Sequence, residues 1–207
     1  TIESIAKNLY LVSDSSSVSN TLVKTYNNEI TVLGASKNSK MSKQIITAIK
    51  KYFPNKKIIA IYVTHPYSDH ISGLLPYVDI GAKIIADTYT VEAIKAYPYF
   101  SDTIEKFTFE TITHGQKVND IRFYVLENSR SKRQSFAYFK QSGIIFQSDF
   151  LEVAFDNTVA NILPSYSKSF IEFIKSEKLK INRIVGFHRN NNISPVIIDK
   201  SYKTNTM

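Results

Sequence analysis

The chain has 207 residues, with 26 Lys+Arg against 18 Asp+Glu, a formal net charge of +8 and no cysteine. The lack of cysteine excludes thiol catalysis, cysteine-ligated zinc and disulfide staples; it fits the cytosol, and equally the periplasm or the exterior if a leader preceded Thr1. Hydrophobic residues make up 43%, enough to bury one core, so a single domain over residues 1–207 is expected, and no run of about 18 apolar residues is present to span a membrane.

NLYLVSD, TLVKTY and EITVLGA read as short strands joined in hairpins, with Asp14-Ser15-Ser16-Ser17 and Asn27-Asn28 supplying the turns. From Ser39 to Phe53 the apolar residues Met41, Ile45, Ile46, Ile49 and Phe53 recur at three and four, the period of an amphipathic helix, and Pro54-Asn55 ends it. IIAIYV, residues 58 to 63, is a continuous apolar run of strand length, the mark of a strand buried on both faces. THPYSDHISG leaves its carboxyl end. Next come a short helix in SGLLPYV, an apolar strand in AKIIAD, a helix starting at Thr90, and a strand pair from FTFETI to IRFYVLE. AYFKQSGIIFQSD reads as a hairpin turning at Gln141-Ser142-Gly143, with Asp149 ending its second strand. Residues 165 to 179 form an amphipathic helix with Ser165 or Ser167 as its cap, and NRIVGFH is a last buried strand with His188 at its end. This order predicts sheets covered on their outer faces by helices, an αββα layering.

The lysines are scattered, as solvated surface lysines are, and the one dense basic run, Arg130-Ser131-Lys132-Arg133, reads as a loop. Nucleic acid is therefore not expected as a partner. His114, in THGQ, reads as an exposed loop histidine, and Asp14 and Asp120 sit in turn contexts with no catalytic role.

Three apolar strands deliver ionisable residues at their carboxyl ends: His65 to His70 after IIAIYV, Asp149 after GIIF, and His188 after RIVGF. In layered α/β folds such ends are where polar groups converge on a ligand. A divalent metal such as zinc takes about four nitrogen, oxygen or sulfur ligands at distances near 2 Å. Without cysteine the available set is His65, Asp69, His70, Asp149 and His188.

THPYSDHISG resembles the motif of the metallo-β-lactamase superfamily, threonine-His-x-His-x-Asp-His-x-Gly-Gly; IIFQSD is similar to that family's Leu-Phe-x-Gly-Asp, and VGFH to its late Gly-His. ANILPSYSKSFIEFIKS also resembles the segment before the final histidine in the lactamase-like branches. The resemblance implies a four-layer αβ/βα sandwich and a zinc-dependent hydrolase acting on a small-molecule substrate. The departures are as informative. The family's second histidine is Tyr67, and its mid-chain histidine falls at Arg130, with Asn128, Ser131 and Arg133 as alternatives for that slot. The aspartate of the family's third strand is replaced around Leu33-Gly34, and the glycine before the bridging aspartate is Ser148.

In the family's dinuclear pattern the first metal takes the His-x-His pair, the mid-chain histidine and the bridging aspartate; the second takes the Asp-His pair, the same aspartate and the last histidine. The resemblance therefore implies that the second set is complete, as Asp69, His70, Asp149 and His188, whereas the first keeps only His65 and Asp149. One zinc ion or none follows. Arg130, permanently charged, could replace the missing cation as partner of Asp149 or of a substrate anion. Tyr67 is a poor ligand but a serviceable hydrogen-bond donor.

Two functional readings stand. In one, a mononuclear hydrolase uses zinc to lower the pKa of a water to about 7, Asp69 or Asp149 moves the proton, and Arg130 or Tyr67 stabilises charge developing on oxygen. In the other, a catalytically inactive member keeps the fold as a binding or interaction module, with His70 and His188 hydrogen-bonded to a carboxylate and His65 held by Thr64 or Asp149. Hydrolysis of β-lactams is not expected, because the first-site zinc that polarises the lactam carbonyl has lost two of its three histidines.

Overall fold

The structure, a computed structural model, describes residues 1–13 and 19–206, so the turn expected at Asp14-Ser15-Ser16-Ser17 lies outside the described residues. Seven strands form the first sheet, in chain order: β1 (Ile2–Ala6), β2 (Leu9–Ser13), β3 (Asn20–Tyr26), β4 (Glu29–Leu33), β5 (Lys57–Tyr62), β6 (Lys83–Asp87) and β7 (Phe109–Ile112). The first four are antiparallel; β4 to β7 run parallel. Parallel neighbours need crossover connections, and these are helices: α1 (Ser39–Tyr52) after β4, α2 (Ser68–Ile71) and α3 (Leu75–Asp79) after β5, and α4 (Thr88–Lys95) after β6. The β3–β4 turn forms at Asn27, whose φ of 49° is left-handed, a conformation that asparagine tolerates.

The second sheet contains β8 (Lys117–Val118), β9 (Ile121–Leu126), β10 (Gln134–Phe139) and β11 (Ile144–Gln147). Past β11 the chain adds β12 (Ile162–Leu163), α5 (Ser165–Ser176), β13 (Arg183–Gly186), α6 (Pro195–Tyr202) and β14 (Asn205–Thr206). Strand β13 completes the second sheet by pairing parallel with β11, and β12 pairs with β14 apart from both sheets.

Three apolar layers hold these parts together. Ile46, Ile49, Val78, Val91 and Ile94 of the helices pack with Ile30, Ile61 and Ile84 on the outer face of the first sheet. Leu22, Tyr62 and Ile85 meet Phe123, Phe146 and Val185 between the sheets. Phe170, Ile171 and Ile198 cover Phe136, Ile145 and Ile184 on the far face of the second. Alternation along each strand sends neighbouring side chains to opposite layers, which is why Ile61 and Tyr62 belong to different clusters. The αββα layering expected from the sequence is the one observed.

Local expectations were corrected in several places. FTFETI and IRFYVLE do not pair: β7 is the edge of the first sheet, and β9 lies in the second, beside β8 and β10. Helix α4 starts at Thr88 rather than Thr90, because the Asp87 side chain caps it by accepting from Thr90 N at 3.1 Å. Helix α5 has Pro164 at its cap position with no side-chain hydrogen bond, so neither Ser165 nor Ser167 caps it. Strand β1 and helix α6 were not anticipated. No helix among the described residues is long and apolar enough to cross a membrane.

The register positions the candidate site. Gln147 of β11 is level with Gly186 of β13, so Asp149 and His188, two residues beyond each, emerge side by side. Between the sheets, Ser135 N donates to Thr64 O at 3.0 Å and the Tyr62 hydroxyl meets Ser135 Oγ at 2.7 Å, fixing the end of β5 against β10.

Candidate metal centre

The four expected ligands and His65 lie together at this end of the sandwich. Thr64 and His65 follow β5, and the buried His65 ring is held by the Thr64 hydroxyl, 2.9 Å from Nδ1. The short α2 carries Asp69 and His70 on adjacent positions, with Gly73 just beyond it. Gly73 is required there, since a Cβ would lie 2.0 Å from Ser36 O. Asp149 follows β11 with a φ of 65°, an uncommon conformation for a residue with a side chain. The Gln147 side chain shapes that turn, accepting from Phe150 N at 3.0 Å and Leu151 N at 3.2 Å and donating to Leu151 O at 2.7 Å.

These donors form two triads that share His70: the buried His65, His70 and Asp149, and the more open Asp69, His70 and His188, each with ligand atoms within 4.8 Å of one another. In the open triad, Asp69 Oδ2 is 3.1 Å from His188 Nε2 and 3.7 Å from His70 Nε2. Asp149 flanks it, with Oδ1 3.8 Å from His188 Nε2 and Oδ2 3.7 Å from His70 Nε2. Bonds near 2.05 Å in a tetrahedron put neighbouring ligand atoms about 3.3 Å apart, so Asp69, His70 and His188 are close to the spacing that a zinc-sized ion takes, with Asp149 at the edge of the group.

The buried triad is different. Asp149 Oδ2 meets His65 Nε2 at 3.1 Å and Arg130 Nη1 at 2.7 Å. Neither contact has hydrogen-bond geometry, and both nitrogens are fully enclosed. A fixed positive charge therefore stands against the Asp149 oxygen that faces His65, in competition with any metal ion that this triad would hold. Of the four residues that could fill the mid-chain slot, Arg130 is the one whose side chain reaches Asp149. The Asn128 carboxamide oxygen accepts from Arg130 N and Ser131 N, both at 2.8 Å, Ser131 Oγ donates to Arg133 O, and Arg133 pairs with Glu127 at 3.5 Å. Tyr67 holds Arg130 in two ways: its ring lies 4.8 Å beneath the guanidinium carbon, and its hydroxyl donates to Arg130 O at 2.8 Å.

The protonation states follow these contacts. Burial pushes the His65 pKa down to about 4, against the pull of Asp149, so the ring is neutral at pH 7. Burial also opposes ionisation of Asp149, but the imidazoles of His65 and His70 outweigh it and hold its carboxyl far below the usual range. Asp69 is lowered chiefly by the hydrogen bond from His188. Burial works against protonation of His188, and the Asp69 carboxylate overcomes it, so its pKa is raised.

Ser148, in place of the family's glycine, has its hydroxyl 3.2 Å from His70 Nε2 and donates to Asp149 Oδ1 at 3.1 Å. Gly34 sits where the family's third-strand aspartate is expected, and Phe187 fills the space around it: a Cβ on Gly34 would meet Phe187 Cδ2 at 2.8 Å, and the Phe187 ring lies 4.5 Å from that of His70. Beside Asp149 a cavity of about 260 Å³ is lined by Glu152, Thr158, Tyr166 and Arg189 among others.

A fold with two facing sheets, outer helices and His/Asp donors gathered at the strand ends can be compared with solved structures. One of DIM-1 metallo-β-lactamase exposed to ceftazidime superposes with a TM-score of 0.73, covering 98% of this chain and 94% of that one. The chain has the metallo-β-lactamase fold. Metallo-β-lactamases from Erythrobacter litoralis and Hirschia baltica also match at TM-score 0.73, over 97% and 100% of this chain and 93% and 98% of theirs. Identities are only 13–14%. No family model matches the chain, nor does any curated protein. Within the metallo-β-lactamase fold the residues that sequence reasoning missed are Gln134 and Gln147, and Asn128, named only as an alternative for the mid-chain slot, instead organises the loop. Gln134 Nε2 donates to Ser148 O, and Asn128 Nδ2 donates to Gln134 Oε1 at 3.1 Å, which ties the Arg130 loop to the Asp149 turn. The Asn-Ser-Arg-Ser run is the one signal that could have exposed Asn128, because asparagine folds its side chain onto backbone N–H groups two and three residues on.

Proposed function

We propose that the chain is a metal-dependent hydrolase that works with one divalent ion, zinc, held by Asp69, His70 and His188 with Asp149 alongside. The observation that carries this reading is the ligand-like spacing of the open triad while Arg130 takes the place of a cation in the buried one. A zinc ion held there supplies Lewis acidity to a carbonyl or phosphoryl oxygen. Arg130 presents a permanent charge to the oxygen on which negative charge develops, and Tyr67 acts through Arg130 by fixing its position. Asp149 is enclosed and committed to Arg130, whereas Asp69 is partly open to solvent and is the carboxylate placed to exchange a proton with water. The 260 Å³ cavity beside Asp149 has room for a small substrate.

Elemental analysis of the purified chain, a zinc titration followed by melting temperature, and hydrolysis of generic esters and lactams test this. One bound ion, a raised melting temperature and ester turnover support it. A metal-free protein with a flat zinc response and no turnover overturns it and favours the second reading, a non-catalytic binding module. The observation favouring that reading is the Arg130–Asp149 pair, which gives the buried carboxylate a countercharge without any ion.

A further inference from the structure

The opposite end of the sandwich carries a second concentration of charge. His65, Asp149 and His188 follow the carboxyl ends of β5, β11 and β13, whereas the turn before β11 and the segment before β13 lie at the other end. There a cavity of about 1120 Å³ opens between the β10–β11 turn, the segment after α5, and the strands β3, β8 and β9. Seven lysine and arginine residues line it, against two carboxylates, Asp120 and Glu177.

Asp120 is already shared, by Lys117 at 2.9 Å and Lys24 at 3.9 Å. Among the described residues Lys7, Lys140, Lys178 and Lys180 form no ion pair, so the cavity keeps a large uncompensated positive charge. Like charges gathered around a concavity raise the potential inside it and draw in anions.

The cation-bearing loops are also fixed in place. Asn182 N donates to Gly143 O at 2.7 Å and Asn182 Nδ2 to Ser142 O at 2.9 Å, clamping the turn after Lys140 to the segment that follows Lys180. The Tyr138 hydroxyl donates to Lys180 O at 3.0 Å, and Arg122 Nη1 donates to Gly115 O at 2.6 Å. Backbone fixed in advance spares a ligand the cost of ordering these loops, leaving the lysine side chains to be ordered on binding. Leu9, Tyr124, Phe139 and Leu179 give the cavity an apolar and aromatic wall.

We propose that this cavity binds a small-molecule polyanion carrying two or more phosphate groups. The cations gather around one half-open concavity, together with an apolar and aromatic wall, rather than following a track across the surface, which suits a compact ligand better than a nucleic-acid strand. The site is independent of the metal centre and of the hydrolase reading.

The test is calorimetric titration of the full chain with tripolyphosphate, ATP and a 20-nucleotide single strand, at two salt concentrations. The variants are Lys140→Glu/Lys180→Glu in the cavity and Lys43→Glu/Lys50→Glu on α1, which changes net charge equally. All four lysines are exposed, and circular dichroism verifies that each variant folds. Expected is binding of tripolyphosphate or ATP that weakens with salt and loses about tenfold or more in the cavity variant, with the α1 variant close to wild type. ATP binding more tightly than tripolyphosphate assigns the ligand to the nucleotides; equal affinities assign it to free polyphosphates. Absence of binding, equal weakening in both variants, or tighter binding of the oligonucleotide overturns the proposal.

Discussion

Arg130 Nη1 lies 2.7 Å from Asp149 Oδ2, the same oxygen that His65 Nε2 meets at 3.1 Å. A guanidinium thus neutralises a buried carboxylate beside a neutral histidine. Replacing Arg130 with Ala leaves Asp149 enclosed without its countercharge, and loss of one partner of a buried pair typically costs about 3–5 kcal/mol. Arg130 is a quarter exposed, so about 2 kcal/mol is expected here. Urea denaturation of metal-free Arg130→Ala reads this out. Added zinc should return more stability to the variant than to the wild type, because a cation can then take up the vacated charge.

Restoring both lost histidines, as Tyr67→His/Arg130→His, rebuilds a donor set around His65 and Asp149 and removes the guanidinium from beside them. Metal stoichiometry measured by elemental analysis should rise by one ion per chain. An unchanged count would show that something other than Tyr67 and Arg130 keeps metal out.

Asp69→Asn and His188→Gln each remove a donor from the open triad and should abolish the zinc-dependent rise in melting temperature while leaving the fold intact. Their metal-free behaviour carries a pH signature. The raised His188 pKa contributes stability that is fully present below its unfolded value of about 6.5 and is lost as pH rises through the folded value. His188→Gln should therefore cost more at pH 5.5 than at pH 9, as read by thermal melts.

His65 has the opposite sign. Its pKa of about 4 lies below the unfolded value, so between about pH 6.5 and 4 the unfolded chain binds the additional proton and stability falls with pH. The loss is on the order of 3 kcal/mol across that window. A His65→Asn variant should show a flatter profile between pH 6.5 and 4, measured by urea denaturation at a series of pH values.

Gly34 combines a φ of +92° with no room for a side chain, since Phe187 and Phe146 stand 2.8 and 2.9 Å from where a Cβ would be. Gly34→Ala should lose about 2 kcal/mol or more, and Gly34→Asp, the residue typical of the fold family, at least as much. Pairing Gly34→Asp with Phe187→Ala should recover part of that loss relative to the sum of the single changes.

Elements with strong periodicity were legible in the sequence. Helix α1 was expected over Ser39 to Phe53 and runs from Ser39 to Tyr52, because its apolar stripe and the Pro54 stop agree. Strand β1 carries too polar a pattern, IESIA, to announce itself, and its side chains are at most half-buried. Helix α6 had a signal that was not used: Ser194 caps it ahead of Pro195 in the first turn, a usual helix start. The FTFETI–IRFYVLE pairing failed because adjacent strands usually pair, whereas here the chain passes from one sheet to the other through the segment containing Gly115, at positive φ, and then pairs β9 with β8 through the Asn119-Asp120 turn. Ligand candidates were readable because His65, Asp149 and His188 stand just after apolar strands and Asp69 and His70 follow His65 in one short motif. Gln134 and Gln147 were not: Gln134 hydrogen-bonds backbone fourteen residues on, which no spacing betrays, and Gln147 folds onto the turn that follows it, a role that residue type does not announce.

The level pairing of Gln147 with Gly186 has a consequence for how this protein can vary. Successive residues of a strand face opposite ways, so one residue inserted into or deleted from either β11 or β13 would turn Asp149 or His188 to the wrong side of the sheet. Such a change would dismantle the centre while leaving every one of its donors in the sequence. The count of residues in these two short strands is therefore fixed by the centre they position.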